Sequence, residues 1–130
     1  MQEVYDFLKN AGVFYLATVE GDQPRVRPFG ALNIFEDKLY IETGKKKKVS
    51  KQMQENSKIE ISTMYKEKWI RVTGEAIRDD RREAKQAMLD NEPQLKALYS
   101  ADDDNTEVLY LKNVTATISS FTEEPKVIKF

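Results

Sequence analysis

The chain has 130 residues, 40% of them hydrophobic, with 21 basic and 22 acidic side chains that leave a net charge of −1. This is the composition of one ordinary globular domain with enough chain to bury a core, and its near-neutral balance supplies no global field for nucleic acid or an anionic membrane, so any anion site has to be local. Cysteine and histidine are both absent, which excludes disulfides, thiolate catalysis and cysteine-held zinc or iron–sulfur centres, and removes the commonest general base, metal ligand and axial haem ligand.

No apolar run approaches the roughly 20 residues of a membrane span. The opening MQEVYDFLKNAG is amphipathic and acidic, unlike a signal peptide, so a cytoplasmic protein is expected. In EVYDFLKNAG the residues Val4, Phe7, Leu8 and Ala11 fall at helical spacing and Gly12 ends the pattern, which predicts a short helix packed on a core. VFYLATVE (13–20) is rich in strand formers, GDQP (21–24) is turn chemistry, and RVRPFGALNIF (25–35) resumes as a strand. Pro28 cannot donate to a ladder, so this strand is placed at an edge or bulged. After a turn at Glu36–Asp37, KLYIET (38–43) is the next strand, and the first three strands read as a meander.

KKKKVSKQMQEN (45–56) reads as a short helix, and SKIEISTMY (57–65) and KWIRVTGEAIRD (68–79) as alternating strands. DRREAKQAMLDN (80–91) is a second helix, with Asp79 and Asp80 suited to its N-cap and dipole. Pro93 opens a third short helix, ADDDN (101–105) is an acidic loop, and 106–121 is a long strand or a pair of strands before a polar tail. Six or more strands joined mostly in hairpins, with three short helices, predict a mainly β protein: one antiparallel barrel over 1–130 whose helices fill gaps between strands.

Lys45 to Lys48 is the feature that asks for a ligand. A helix N-terminus already carries positive partial charge, so lysines there have the unfavourable sign. Either they are simply solvated, or backbone N–H groups, the Thr43 hydroxyl and the lysines together hold a phosphate-like dianion. No glycine precedes at the spacing of a P-loop. In PRVRPFG, Arg25 and Arg27 project from one face of a strand; they are either solvated or part of one anion site, and a neighbouring position would let Arg27 join the lysines. Trp69 either stacks on a ring or belongs to a core or interface, as the only tryptophan. No carboxylate pair for acid–base work is identifiable, none sits in an apolar run that would raise its pKa, and ADDDN lacks the spacing of a calcium loop.

The segments FYLATVEGDQPRVRPFGAL, DKLYIETGKKKKVSKQMQENSKIEIS, WIRVTGEA and VLYLKNVTATISSFTEEPK, in that order, resemble the pyridoxamine 5′-phosphate oxidase-like superfamily, and most of all its short nitroimidazole-resistance (Nim)-type flavoproteins. The resemblance spans nearly the whole chain. It implies an FMN-binding split β-barrel that forms a homodimer, with FMN at the subunit interface. It implies that Arg27 approaches the flavin or its phosphate, and that the strand from Pro28, through Phe29 and Gly30, to Leu32 runs along the ring edge. Thr43, Lys47 and Lys48 would grip the phosphate, with Lys51 an addition, and Trp69 or Phe29 would cap the cleft from either subunit.

Nim-type sites often carry a histidine, absent here, and the tail EEPKVIKF lacks the basic and histidine residues with which true oxidases take the substrate phosphate. The resemblance therefore does not extend to vitamin B6 oxidation or to haem. It implies an oxidoreductase that passes electrons from a nicotinamide donor through FMN to a small acceptor. The alternatives are a non-catalytic FMN carrier or sensor, a deazaflavin in place of FMN, or a dimeric scaffold whose lysines meet an acidic partner.

Overall fold

The computed structural model describes residues 1–130. Helix α1 (Gln2–Ala11) precedes strands β1 (Phe14–Glu20), β2 (Gln23–Phe29), β3 (Leu32–Phe35) and β4 (Lys38–Gly44). Helix α2 (Lys48–Glu55) leads to β5 (Lys58–Tyr65) and β6 (Lys68–Asp79), and α3 (Arg82–Asn91) with a 3₁₀ turn (Pro93–Ala97) leads to β7 (Thr106–Ser120) and β8 (Lys126–Lys129). All eight strands pair antiparallel in the order β2-β1-β5-β6-β7-β4-β3, with β8 on β7. The protein is mainly β, with a curled sheet and short helices, as a split barrel requires.

The expected meander is replaced by two hairpins at opposite ends of the strand order. The segment expected as one strand over 25–35 breaks at Gly30–Ala31: its first half pairs β1, from Phe14↔Phe29 to Glu20↔Gln23, and its second half pairs β4, from Leu32↔Ile41 to Phe35↔Lys38. Pro24 and Pro28 lack the N–H that a further neighbour would need, so β2 stays at an edge. Beyond the break Leu32 is completely buried, which carries the chain across to the other side of the core. Glu36 and Asp37, at φ 50° and 58°, close β3–β4 as a two-residue hairpin in the left-handed region.

The stretch 106–121 is a single strand, β7, which pairs β6 and β4. A bulge at Gly74 interrupts its register with β6; a Cβ there would lie 3.2 Å from the Lys112 carbonyl oxygen, and Asn113 opposite has φ 54°. Bulges bend a strand and raise its twist, which curls a sheet toward closure. The expected polar tail contains β8, whose residues Lys126 to Lys129 pair with Ile118 back to Thr115.

Core packing follows the apolar periodicity. Val4 and Leu8 of α1, Phe14 and Leu16 of β1, Val49 and Met53 of α2 and the inward residues of β5–β7 form one cluster. Each fully buried large apolar side chain contributes about 1.5–3 kcal/mol. Ala84 and Met88 of α3 form a second cluster with Ala31, Tyr40 and Val108. Asp79 does not cap α3. It ends β6, where its carboxylate accepts from the Tyr40 hydroxyl at 2.8 Å and from the Arg81 guanidinium at 2.9 Å. Arg81 foremost holds the Asp79 carboxyl down to about 2, so this stabilisation is present above the ordinary carboxylate range and is lost as pH falls toward 2. Tyr40→Phe removes one bond but leaves Asp79 paired to Arg81, so a loss of about 1 kcal/mol in urea unfolding at pH 7 is expected; no change would mean the bond contributes nothing.

Candidate functional site

Where β2 leaves the sheet, a cleft of about 440 Å³ opens between β2, the end of β4, the head of α2 and the segment after α3. It brings together Arg27, Pro28, Phe29, Gly30, Thr43 and Lys47. These come from segments up to 20 residues apart, and the strand break at Gly30 with the β4–α2 turn is what joins them. A second recess of about 410 Å³ shares Arg27 and Lys47 with the cleft and adds Lys48, Arg25, Glu20 and Gln52.

Arg27 is fixed before any ligand arrives. Its guanidinium donates to the Thr18 hydroxyl at 2.7 Å, the Leu16 carbonyl at 3.2 Å and Gln52 Oε1 at 2.6 Å. Gln52 in turn donates to Glu20, which also binds Arg25 at 2.9 Å. Arg25 is thus paired at the surface, whereas Arg27 is anchored by β1 and α2. Arg25 and then Gln52 hold the Glu20 carboxyl below its ordinary range, so it stays the ionised partner of this chain of bonds.

The lysine run divides by partner. Lys45 sits 3.4 Å from Asp80, just ahead of α3, and 3.9 Å from Asp104 in the acidic loop, so these two carboxylates neutralise it. Lys46 donates its backbone N–H to Asn105 at 3.1 Å. Lys47 and Lys48 are exposed and form no ion pair within the chain, and Lys47 stands at the N-cap of α2, with φ −81° and ψ 149°. The expected helix over 45–56 therefore starts only at Lys48, because Lys45 to Lys47 make the turn. A lysine side chain has no acceptor with which to cap, so the first N–H groups of α2 keep their partial positive charge beside the cleft.

Lys51 and Trp69 lie away from the cleft of their own chain. Lys51 is exposed, 3.9 Å from Glu55, and borders neither recess. Trp69 faces outward on β6, its ring 5.1 Å from that of Phe121, in a shallow groove with Arg71 and Thr117.

Several cleft residues escaped sequence reasoning, and three of them bear on its chemistry or its shape. Leu98 and Tyr99, after the 3₁₀ turn, reach the cleft only through the packing of α3. Glu42 is the third, and it corrects the expectation that no carboxyl sits among apolar residues. It follows Leu39, Tyr40 and Ile41 on β4 and is 7% exposed. Burial first, then Asp103 and Glu107, push its carboxyl up to about 8 against the pull of Lys47. A glutamate at the end of the run LYI was the available signal; alternation alone would have sent it to solvent, but β4 is buried on both faces.

The cleft pairs cationic and hydroxyl donors (Arg27, Lys47, Thr43) with apolar walls from Phe29, Leu95 and Leu98. Such a site suits a ligand with an anionic end and a flat apolar body. The family model described as pyridoxamine 5′-phosphate oxidase matches residues 1–125, and the chain belongs to this family. A NimC/NimA family protein from Clostridium acetobutylicum is 52% identical, with a TM-score of 0.98 over 100% of this chain and 92% of its own. General Stress Protein 26 from Bacillus anthracis (19% identity, TM-score 0.78, covering 99% and 97%) shares the fold. So does a pyridoxamine 5′-phosphate oxidase-related, FMN binding protein from Nostoc punctiforme (16% identity, TM-score 0.66, covering 99% and 94%). The comparison with curated proteins finds no significant match.

Proposed function

We propose that this chain is an FMN-binding oxidoreductase of the Nim type. The observation that carries the reading is the cleft itself, in which Arg27, Thr43 and an unpaired Lys47 converge beside an apolar wall. Bound FMN would supply the redox chemistry, passing electrons from a nicotinamide donor to a small electron-poor acceptor. Lys47 and Thr43, with Lys48 from the adjoining recess, would hold the phosphate; Pro28 to Gly30 would line the ring; Arg27, already fixed by its bonds to β1 and α2, would offset negative charge on the ligand.

The protein acts as a homodimer with the cofactor at the subunit interface. In support, Tyr15 is 50% exposed, Val26 68% and Leu98 81%, and Val26 and Leu98 border the two recesses, so a twin chain would both cover apolar surface and close the cleft. The test is the visible spectrum of protein loaded with FMN and freed of excess, followed by NADH and NADPH oxidation with a nitroaromatic or quinone acceptor. A bound-flavin spectrum with acceptor-dependent oxidation is expected. Bound flavin without turnover would leave a carrier or sensor, and a colourless protein would remove the FMN reading altogether.

A further inference from the structure

Two buried glutamates stand on neighbouring strands beneath the cleft. In the β4–β7 ladder Glu42 lies opposite Val108, and Thr43 opposite Glu107. Glu107 is fully buried and its Oε1, too, has no hydrogen-bond partner, but its Oε2 has a counterion, the guanidinium of Arg78, and a further donor in Gln54 at 3.5 Å. Glu42 has no ion pair. It lines the cleft beside Thr43 and Lys47, and its Oε1 is buried with no hydrogen-bond partner. A buried carboxylate in that position carries a large desolvation cost, whereas a neutral carboxyl has an O–H to donate.

We propose that Glu42 is a ligand-binding residue of the cleft: as the neutral acid it donates a hydrogen bond to an anionic oxygen of the bound ligand, and its ionisation weakens binding. The proposal rests on the reading of the cleft as an FMN site. The charged and titratable groups around Glu42 are consistent with it. Lys47 at the head of α2 and Arg27 on β2 attract the anion. Tyr99 also lines the cleft. Glu107 on β7, ion-paired with Arg78 on β6, and Asp103 in the preceding loop both favour the protonated form of Glu42. Asp103 stays committed to the N–H groups of Ser100, Asn105 and Thr106. Its neighbours thus leave Glu42 as the proton-bearing member of the pair. The raised carboxyl pKa, about 8, places the change within reach of ordinary buffers. An anion bound beside it favours the protonated form further, so binding and proton uptake are linked.

The experiment is FMN affinity by quenching of flavin fluorescence between pH 6.5 and pH 9.5 at fixed ionic strength, for the natural chain and for Glu42→Gln, which keeps a donor and cannot ionise. The natural chain is expected to lose about 10-fold in affinity above pH 8 relative to Glu42→Gln. Superimposed pH profiles would overturn the role of Glu42 while leaving the FMN site intact; no FMN binding at any pH would overturn both. Should the variant fail to fold, carboxyl-carbon NMR of the natural chain decides: Glu42 is expected to titrate above pH 7 and higher still with FMN, and titration in the ordinary range would refute the proposal.

Discussion

Lys47→Ala is expected to weaken FMN binding by about 10- to 100-fold, the effect of losing one charge-assisted hydrogen bond of about 1.5–3 kcal/mol. Lys47 is singled out from the lysine run by position and by partners. It borders both recesses, and no carboxylate in the chain neutralises it. Lys48 reaches only the second recess, so Lys48→Ala should cost less; Lys51, beside Glu55 at the surface, should cost nothing measurable. Titration of the three variants with FMN at low and high salt checks the order. The loss for Lys47→Ala should shrink as salt rises, because screening already weakens an exposed charge. Equal effects from all three would mean that only the summed charge of the run matters, and no change for Lys47→Ala would remove the phosphate clamp.

Arg78→Ala is expected to destabilise the fold by about 3 kcal/mol, measured by urea unfolding at pH 7. Glu107 is completely buried, and Arg78 is its ion-pair partner. Removing the guanidinium strands a buried negative charge, which is far more costly than the pair is beneficial. It also removes a 3.4 Å contact to the Ser50 hydroxyl on α2, so the loss should reach the helix that carries Lys47. Adding Glu107→Gln to Arg78→Ala should recover much of the stability, since an amide can be buried neutral. If Arg78→Ala alone falls within 0.5 kcal/mol of the natural chain, about the range of an ordinary surface substitution, the pair does not hold this part of the barrel.

Much of the architecture was legible because it depends on local pattern. The 3.6 period of Val4 and Leu8 and the alternation of Ile59, Ile61, Ile70 and Val72 mark faces that must be buried, and they are. The Glu36–Asp37 turn and the edge position of the proline-bearing β2 follow from backbone chemistry alone. What pattern could not supply was which strand each stretch joins. RVRPFGALNIF carries one continuous strand-like pattern, yet Phe29 pairs with Phe14 and Leu32 with Ile41. Lys126–Lys129 looked like solvated tail because only two of its four residues are apolar, and its strand state comes from the free side of β7.

The same division runs through the candidate site. The chain by itself determined that any anion site had to be local, that histidine and thiolate chemistry were excluded, and that Arg27, Thr43 and the lysine run were the groups to watch, because residue type sets charge and donor capacity wherever the chain goes. Tertiary structure alone decided which of them share a cleft. It neutralised Lys45 with Asp80 and Asp104, left Lys51 and Trp69 outside the cleft of their own chain, and brought in Tyr99 from beyond α3. It also made Glu42 a buried acid. That property belongs to no residue type: it arises because β4 is covered on both faces, so a side chain that alternation assigns to water is desolvated beside Glu107 with no counterion of its own.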